Sequence, residues 1–135
     1  MPEVRLVVLD SSVGVKWFRD EAGSDTARSL LVGHRAAKHQ IVVPAHFMHE
    51  VTATALRAYG LRAAEETWDA LSAARLTVVD LDDRVAREAF RQCRALGCAF
   101  YDALPAAVAS LIGAKLYSAD RRAHGAFPAV RLIED

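Results

Sequence analysis

The chain has 135 residues, and its 17 Lys+Arg balance its 17 Asp+Glu, so the formal net charge is zero. That length fits one domain, residues 1–135, and not two. A composition 53% hydrophobic and 25% charged is globular and excludes a disordered tail protein, and the zero charge excludes bulk attraction to nucleic acid or an anionic membrane.

Strand and helix alternate along the chain. Residues 4–9 (Val-Arg-Leu-Val-Val-Leu) end at Asp10-Ser11-Ser12 and predict a buried strand. Residues 13–19 predict one or two helical turns, and Ser24 or Asp25 is placed to cap a helix reaching about Ala36. Ile41-Val42-Val43 is a short strand stopped by Pro44. Ala45–Tyr59 is a helix ended by Gly60, and residues 63–74 form another. Residues 76–79 are a strand. Asp82 or Asp83 caps a helix reaching Ala95, with Gly97 beyond it. Residues 101–112 are helical up to Gly113. Lys115–Ser118 is a strand, and residues 130–133 are the last one. Strands separated by helices of about 10–15 residues imply βαβ units. The expected fold is α/β, a three-layer α/β/α domain on a mostly parallel sheet of four to five strands.

Cys93 and Cys98 are too few for a disulfide framework and lack further zinc ligands, so they read as reduced thiols beside a core. Residues 4–9 are too short for a signal peptide, and residues 103–114 fall short of the roughly 20 a membrane helix needs. The expectation is a cytoplasmic protein with no membrane contact.

The topology places four acids together. Asp10 follows the first strand and Asp120 follows the Lys115–Ser118 strand by two residues, so both lie at the sheet's carboxyl edge. Glu50 is in the second turn of a helix that starts at that edge, and Asp102 opens another such helix. Open α/β sheets place ligand sites on this rim. Singly, each acid also reads as a cap, a turn residue or an exposed helix acid. Together they repel one another unless a proton or a cation intervenes. An oxygen-only ligand set selects a hard cation, Mg2+ or Mn2+. Assigning four of the 17 acids to one site leaves 13 against 17 basic residues elsewhere, a mildly RNA-attracting balance.

Val8-Leu9-Asp10-Ser11-Ser12, Val43-Pro44 leading to His49-Glu50-Val51, Tyr101-Asp102-Ala103, and Ser118-Ala119-Asp120-Arg121-Arg122 resemble the PIN-domain nucleases. The closest likeness is to VapC-type toxins of bacterial toxin–antitoxin systems, over essentially the whole chain. The resemblance implies an Mg2+- or Mn2+-dependent endoribonuclease using one or two ions, a homodimer, and a cognate VapB-type antitoxin that blocks the site. It implies Asp10, Asp102 and Asp120 as metal-holding residues, Glu50 as the fourth catalytic acid, and cleavage leaving a 5′-phosphate and a 3′-hydroxyl. The chain departs from that pattern in two places. Pro105 stands where a Tyr is frequent, and Ala53 where an Asn is. As a proline of the first helical turn, Pro105 is expected to remove no helix hydrogen bond and to leave the fold intact.

Ser12 and Ser118 can hydrogen-bond a carboxylate or a phosphate, or act in caps and turns. Arg121 and Arg122 adjoin a proposed ligand and are placed for phosphate contact. Arg84, Arg87, Arg91 and Arg94 share one helix face, which reads as a solvated face paired with Glu88 or as an RNA-backbone track. Trp17-Phe18 reads as core or an antitoxin groove, and Trp68 and Leu71 as packing. His46, His49 and Glu50 invite a zinc reading, but position 53 is Ala, so His-Glu-x-x-His is absent. Cys98 has no base beside it in sequence to make it a nucleophile. Two other functions compete. In a receiver-type phosphoacceptor domain, Asp80 or Asp82 would be the acceptor. However, the first strand ends in one Asp, no Lys follows the Lys115–Ser118 strand, and Glu50 and Asp102 go unexplained. A catalytically inactive PIN-like interaction module would not need all four acids.

Overall fold

The computed structural model describes residues 4–134. The chain runs β1 (Arg5–Leu9), α1 (Ser11–Val15), α2 (Ser24–Arg35), β2 (His39–Pro44), α3 (Ala45–Tyr59), α4 (Leu61–Ala73), β3 (Thr77–Val79), α5 (Asp83–Leu96), α6 (Phe100–Ile112), β4 (Lys115–Ser118), α7 (Arg121–His124) and β5 (Val130–Leu132). The strands lie in the order β3-β2-β1-β4-β5, and every neighbouring pair is parallel. The chain moves outward from β1 through β2 to β3, then returns to lay β4 on the other side of β1. The reversal therefore falls between β1 and β4.

Two apolar layers cover the sheet. Val7, Leu9, Ile41 and Val43 pack with Val13, Trp17, Leu30, Phe47 and Leu71. Val8, Val42 and Leu116 pack on the other face with Val85, Ala89, Leu104 and Val108. Side chains alternate between faces, yet both sets are apolar, as a strand buried on both sides requires. The three-layer α/β/α expectation holds, and the sheet is wholly parallel with five strands. Small buried residues, Ala103, Ala106, Ala107 and Ala109, let α6 lie close to that sheet. Among the described residues no single helix is long and apolar enough to cross a membrane.

Local hydrogen bonds move several boundaries away from the sequence expectation. α1 begins at Ser11 because Asp10 caps it, Oδ2 receiving the Ser12 N–H at 3.2 Å. The helix ends after Val15, and the buried Trp17 donates from Nε1 to the Ala27 carbonyl at 2.8 Å. Neither Ser24 nor Asp25 caps α2. Gly23, at φ 85°, holds that position, and the Ser24 hydroxyl instead closes the preceding turn on the Arg19 carbonyl at 2.8 Å. β2 starts two residues before its apolar run because its polar residues find partners. His39 bonds the Leu30 carbonyl at 2.7 Å, and the Gln40 amide donates to Thr77 Oγ1 at 2.9 Å. Trp68, read as packing, is 48% exposed, whereas Leu71 is buried. α6 starts one residue early, at Phe100, with the Ala103 N–H bonding the Ala99 carbonyl at 3.0 Å. Pro105, the sixth residue of α6, lies beyond the first turn, contrary to the expectation, and the N–H it lacks is the one the Tyr101 carbonyl would have received.

Gly14 brings α1 against α3, where an added Cβ would meet Phe47 Cζ at 2.5 Å and Val51 Cγ2 at 2.9 Å. Gly14→Ala is expected to lower stability by about 1–3 kcal/mol through overpacking, more than the roughly 1 kcal/mol alanine gains in helix propensity. Urea unfolding measures the difference. A variant as stable as the parent would show that α1 is free to move off α3.

Candidate active site

Asp10 leaves β1 with its N–H on the Tyr117 carbonyl at 3.0 Å, which continues the pairing with β4. The residue is buried, and its carboxylate receives Ser12 Oγ at 2.6 Å as well as the Ser12 N–H. Ser12 Oγ in turn accepts the Ala119 N–H at 3.0 Å, so one hydroxyl joins the ends of β1 and β4. Asp120 caps α7, a helical turn that the sequence shows only as a turn, with Oδ1 receiving the Ala123 N–H at 3.0 Å. Its own N–H donates to Ser118 Oγ at 3.0 Å.

Asp102 is the third residue of α6 and is half-buried. Among the described residues no hydrogen bond is donated to its carboxylate. Burial pushes its pKa up, the charges of Asp10 and then Asp120 push it further, and Glu50 adds a smaller increment against the opposing effect of His124. Asp10, Asp102 and Asp120 thus share one electrostatic field. Glu50 stands apart with its own partners. His46 Nε2 lies 3.0 Å from Oε1, and Ser11 Oγ donates to Oε2 at 3.2 Å. The His46 hydrogen bond chiefly holds the Glu50 carboxyl below the usual range, with smaller help from Ser11 and Arg57.

Asp102 and Asp120 line a pocket of about 200 Å³ with Cys98 and Arg122. Glu50, His46, His49 and Tyr101 line a separate cleft of about 610 Å³ whose walls include Leu81 and Leu104. The two expected phosphate contacts diverge. Arg122 faces the acid pocket, whereas Arg121 forms a two-bond pair with Glu134, both contacts at 2.6 Å. Burial first, then Cys93 and the nearby acids, push the Cys98 thiol up, which opposes both nucleophile and metal-ligand roles. Arg87 pairs with Asp83 at 2.8 Å and Arg91 with Glu88 at 3.6 Å, consistent with a solvated face. Asp82 caps α5 through the Val85 N–H at 2.9 Å, on the connection out of edge strand β3, so it is not a free acceptor. His124, which the sequence reading passed over, is fully buried between Ser118 and Asp102. Only its place four residues after Asp120 was visible, and that spacing carries no metal or nucleophile motif.

Among the described residues, no three His, Cys, Asp or Glu side chains are set to grip an ion directly. Mg2+ retains several waters and needs only one or two carboxylates. Asp102, raised in pKa beside two other acids and without a donor, is what such an ion relieves. The residues present fit a hydrated hard cation.

The sequence matches the PIN domain family over residues 7–128. No curated protein matches it. Among solved structures, the chain is similar to a toxin–antitoxin complex from Klebsiella pneumoniae, at 16% identity and TM-score 0.75, covering 96% of this chain and 98% of that one. It is similar to the Mycobacterium tuberculosis sarcin–ricin-loop-cleaving toxin VapC20, at 19% identity and TM-score 0.69, covering 93% and 98%. It is also similar to a VapBC2 chain from Rickettsia felis bound to promoter DNA, at 15% identity and TM-score 0.70, covering 94% and 96%.

The raised pKa of Asp102 has a consequence for stability. A folded-state pKa above the unfolded value means the ionised carboxylate opposes folding, and this cost appears as pH rises from the unfolded pKa through the folded one. Without divalent cations, Asp102→Asn is expected to raise the thermal midpoint at neutral pH. The gain should close below about pH 4, where the parent carboxyl is protonated in both states. Midpoints recorded across pH test this, and a lower midpoint for the variant at pH 7 would contradict it.

Proposed function

The chain belongs to the PIN-domain family, and from that premise we propose that it is an Mg2+- or Mn2+-dependent endoribonuclease toxin held in check by a VapB-type antitoxin. The observation that carries the reading is the field shared by Asp10, Asp102 and Asp120 where the strand order reverses between β1 and β4. Arg122, which lines the same pocket, supports an anionic substrate there.

Asp10, Asp102 and Asp120 would hold one or two ions, directly or through waters. When bound, the ion supplies a water of lowered pKa and offsets charge developing on the phosphodiester. Ser12 fixes the Asp10 carboxylate, and Ser118 fixes the Asp120 backbone. Glu50, kept ionised by His46 and Ser11, is suited to orient an attacking water through a carboxylate oxygen. Arg122 would contact a substrate phosphate. Toxin–antitoxin assemblies among the structural neighbours support the antitoxin partner, as does a groove of about 350 Å³ lined by Trp17, Phe18, Leu31 and Leu71 with Arg28 and Arg35. The homodimer also belongs to this proposal.

Asp10→Asn and Asp102→Asn are each expected to reduce Mg2+- or Mn2+-dependent RNA cleavage by at least about a hundredfold, since the ion supplies several kcal/mol of transition-state stabilisation. Gel assays on structured RNA, with DNA of the same sequence alongside, read the loss and the preference. Undiminished cleavage by folded variants would remove the acids from the mechanism. Cleavage of DNA alone would overturn the ribonuclease reading.

A further inference from the structure

Beside the acids stands a buried polar group that the reading above does not use. His124, the last residue of α7, is 0% exposed. Its Nε2 lies 2.7 Å from the Asp102 carbonyl oxygen, and its Nδ1 lies 2.7 Å from Ser118 Oγ. A carbonyl only accepts, so Nε2 carries a proton. In the neutral ring Nδ1 is then the acceptor, so the Ser118 hydroxyl donates to it while its oxygen accepts the Asp120 N–H at 3.0 Å. The bonds form one chain, from Asp120 N–H through the Ser118 hydroxyl and the His124 ring to the Asp102 carbonyl.

Pro105 supplies the reason α6 needs this tie. It removes the helix donor to the Tyr101 carbonyl, and its ring crowds that carbonyl. The turn that carries Asp102 has therefore lost one of its internal bonds. His124 donates to the very next carbonyl along the chain. The link also crosses between elements, because Ser118 ends β4 while Asp102 lies in the first turn of α6.

We propose that His124 is a positioning residue that locks the Asp102 turn of α6 to the Ser118–Asp120 end of β4, fixing the spacing of the two carboxylates for a shared divalent cation. The inference rests on the metal-dependent reading above. It makes two claims with separate readouts: the ring adopts the Nε2–H tautomer before any ion binds, and breaking the chain weakens the ion.

Long-range ¹H–¹⁵N spectra of the metal-free protein read the tautomer. A ring in the Nδ1–H tautomer overturns the proposal. Mn2+ titration calorimetry, with thermal midpoints recorded in parallel, compares the parent with H124F, S118A and D102N. H124F fills the volume without hydrogen bonds and is expected to weaken Mn2+ about 10-fold, the lower end of the usual loss for groups that orient metal ligands. S118A cuts the same chain at its middle by removing one oxygen, and it keeps the test open if H124F does not fold. A merely structural histidine would lower the midpoint and leave the Mn2+ affinity of the folded protein unchanged, and that result overturns the proposal. D102N separates the two readings. If it abolishes Mn2+ binding while H124F and S118A retain it, only the positioning role fails. If D102N binds like the parent, the metal-dependent reading fails with it.

Discussion

Every strand of this sheet points the same way, and the rest of the molecule follows from that constraint. A parallel sheet sends each strand's carboxyl end, and the start of each helix that follows, to one rim. Asp10, Asp102 and Asp120 arrive there from three separate stretches of chain and meet in one field. Their repulsion is the cost of the architecture at that point. Two of the three are restrained by backbone N–H groups, Asp10 at the start of α1 and Asp120 at the start of α7. Asp102 has no such donor, and burial together with that repulsion pushes its pKa up.

The serines next to those acids have matching duties. Ser12 ties the Asp10 carboxylate to the backbone after β4, and Ser118 ties the Asp120 backbone to His124. Ser12 thereby joins the ends of β1 and β4, where the strand order reverses. Glu50 sits in a contrasting environment, with both of its oxygens engaged by His46 and Ser11. One acid is thus pushed towards its protonated form and another away from it. Such divergence separates the roles of carboxylates that are otherwise alike.

Much of this was legible in the sequence for plain reasons. The runs Val7-Val8-Leu9 and Ile41-Val42-Val43 are apolar at every position, which marks strands covered on both faces. Asp10 follows one such strand directly and Asp120 follows the mixed strand β4 by two residues, so their place on the rim needs only the topology. The errors fell where polar side chains replace ordinary backbone partners. Ser24 looked like a cap but closes a turn, because Gly23 adopts the left-handed conformation ahead of it. His39 and Gln40 extend β2 through bonds to residues distant in sequence. Pro105 looked harmless as a first-turn proline, but it is the sixth residue of α6 and lies past that turn whether the helix starts at Phe100 or at Tyr101.

The sequence by itself determined the α/β class, the alternation of elements and the chain positions of the four rim acids, because hydrophobic period and strand-end acids are local signals. Tertiary structure alone decided which groups surround each acid. That Arg121 is drawn to Glu134 while Arg122 faces the pocket depends on where the last strand returns. That His124 is buried between Ser118 and Asp102 depends on α7 folding back under α6. Hydrogen bonds have direction and a reach of about 3 Å, so they are fixed only when distant segments are packed, and no local pattern encodes them.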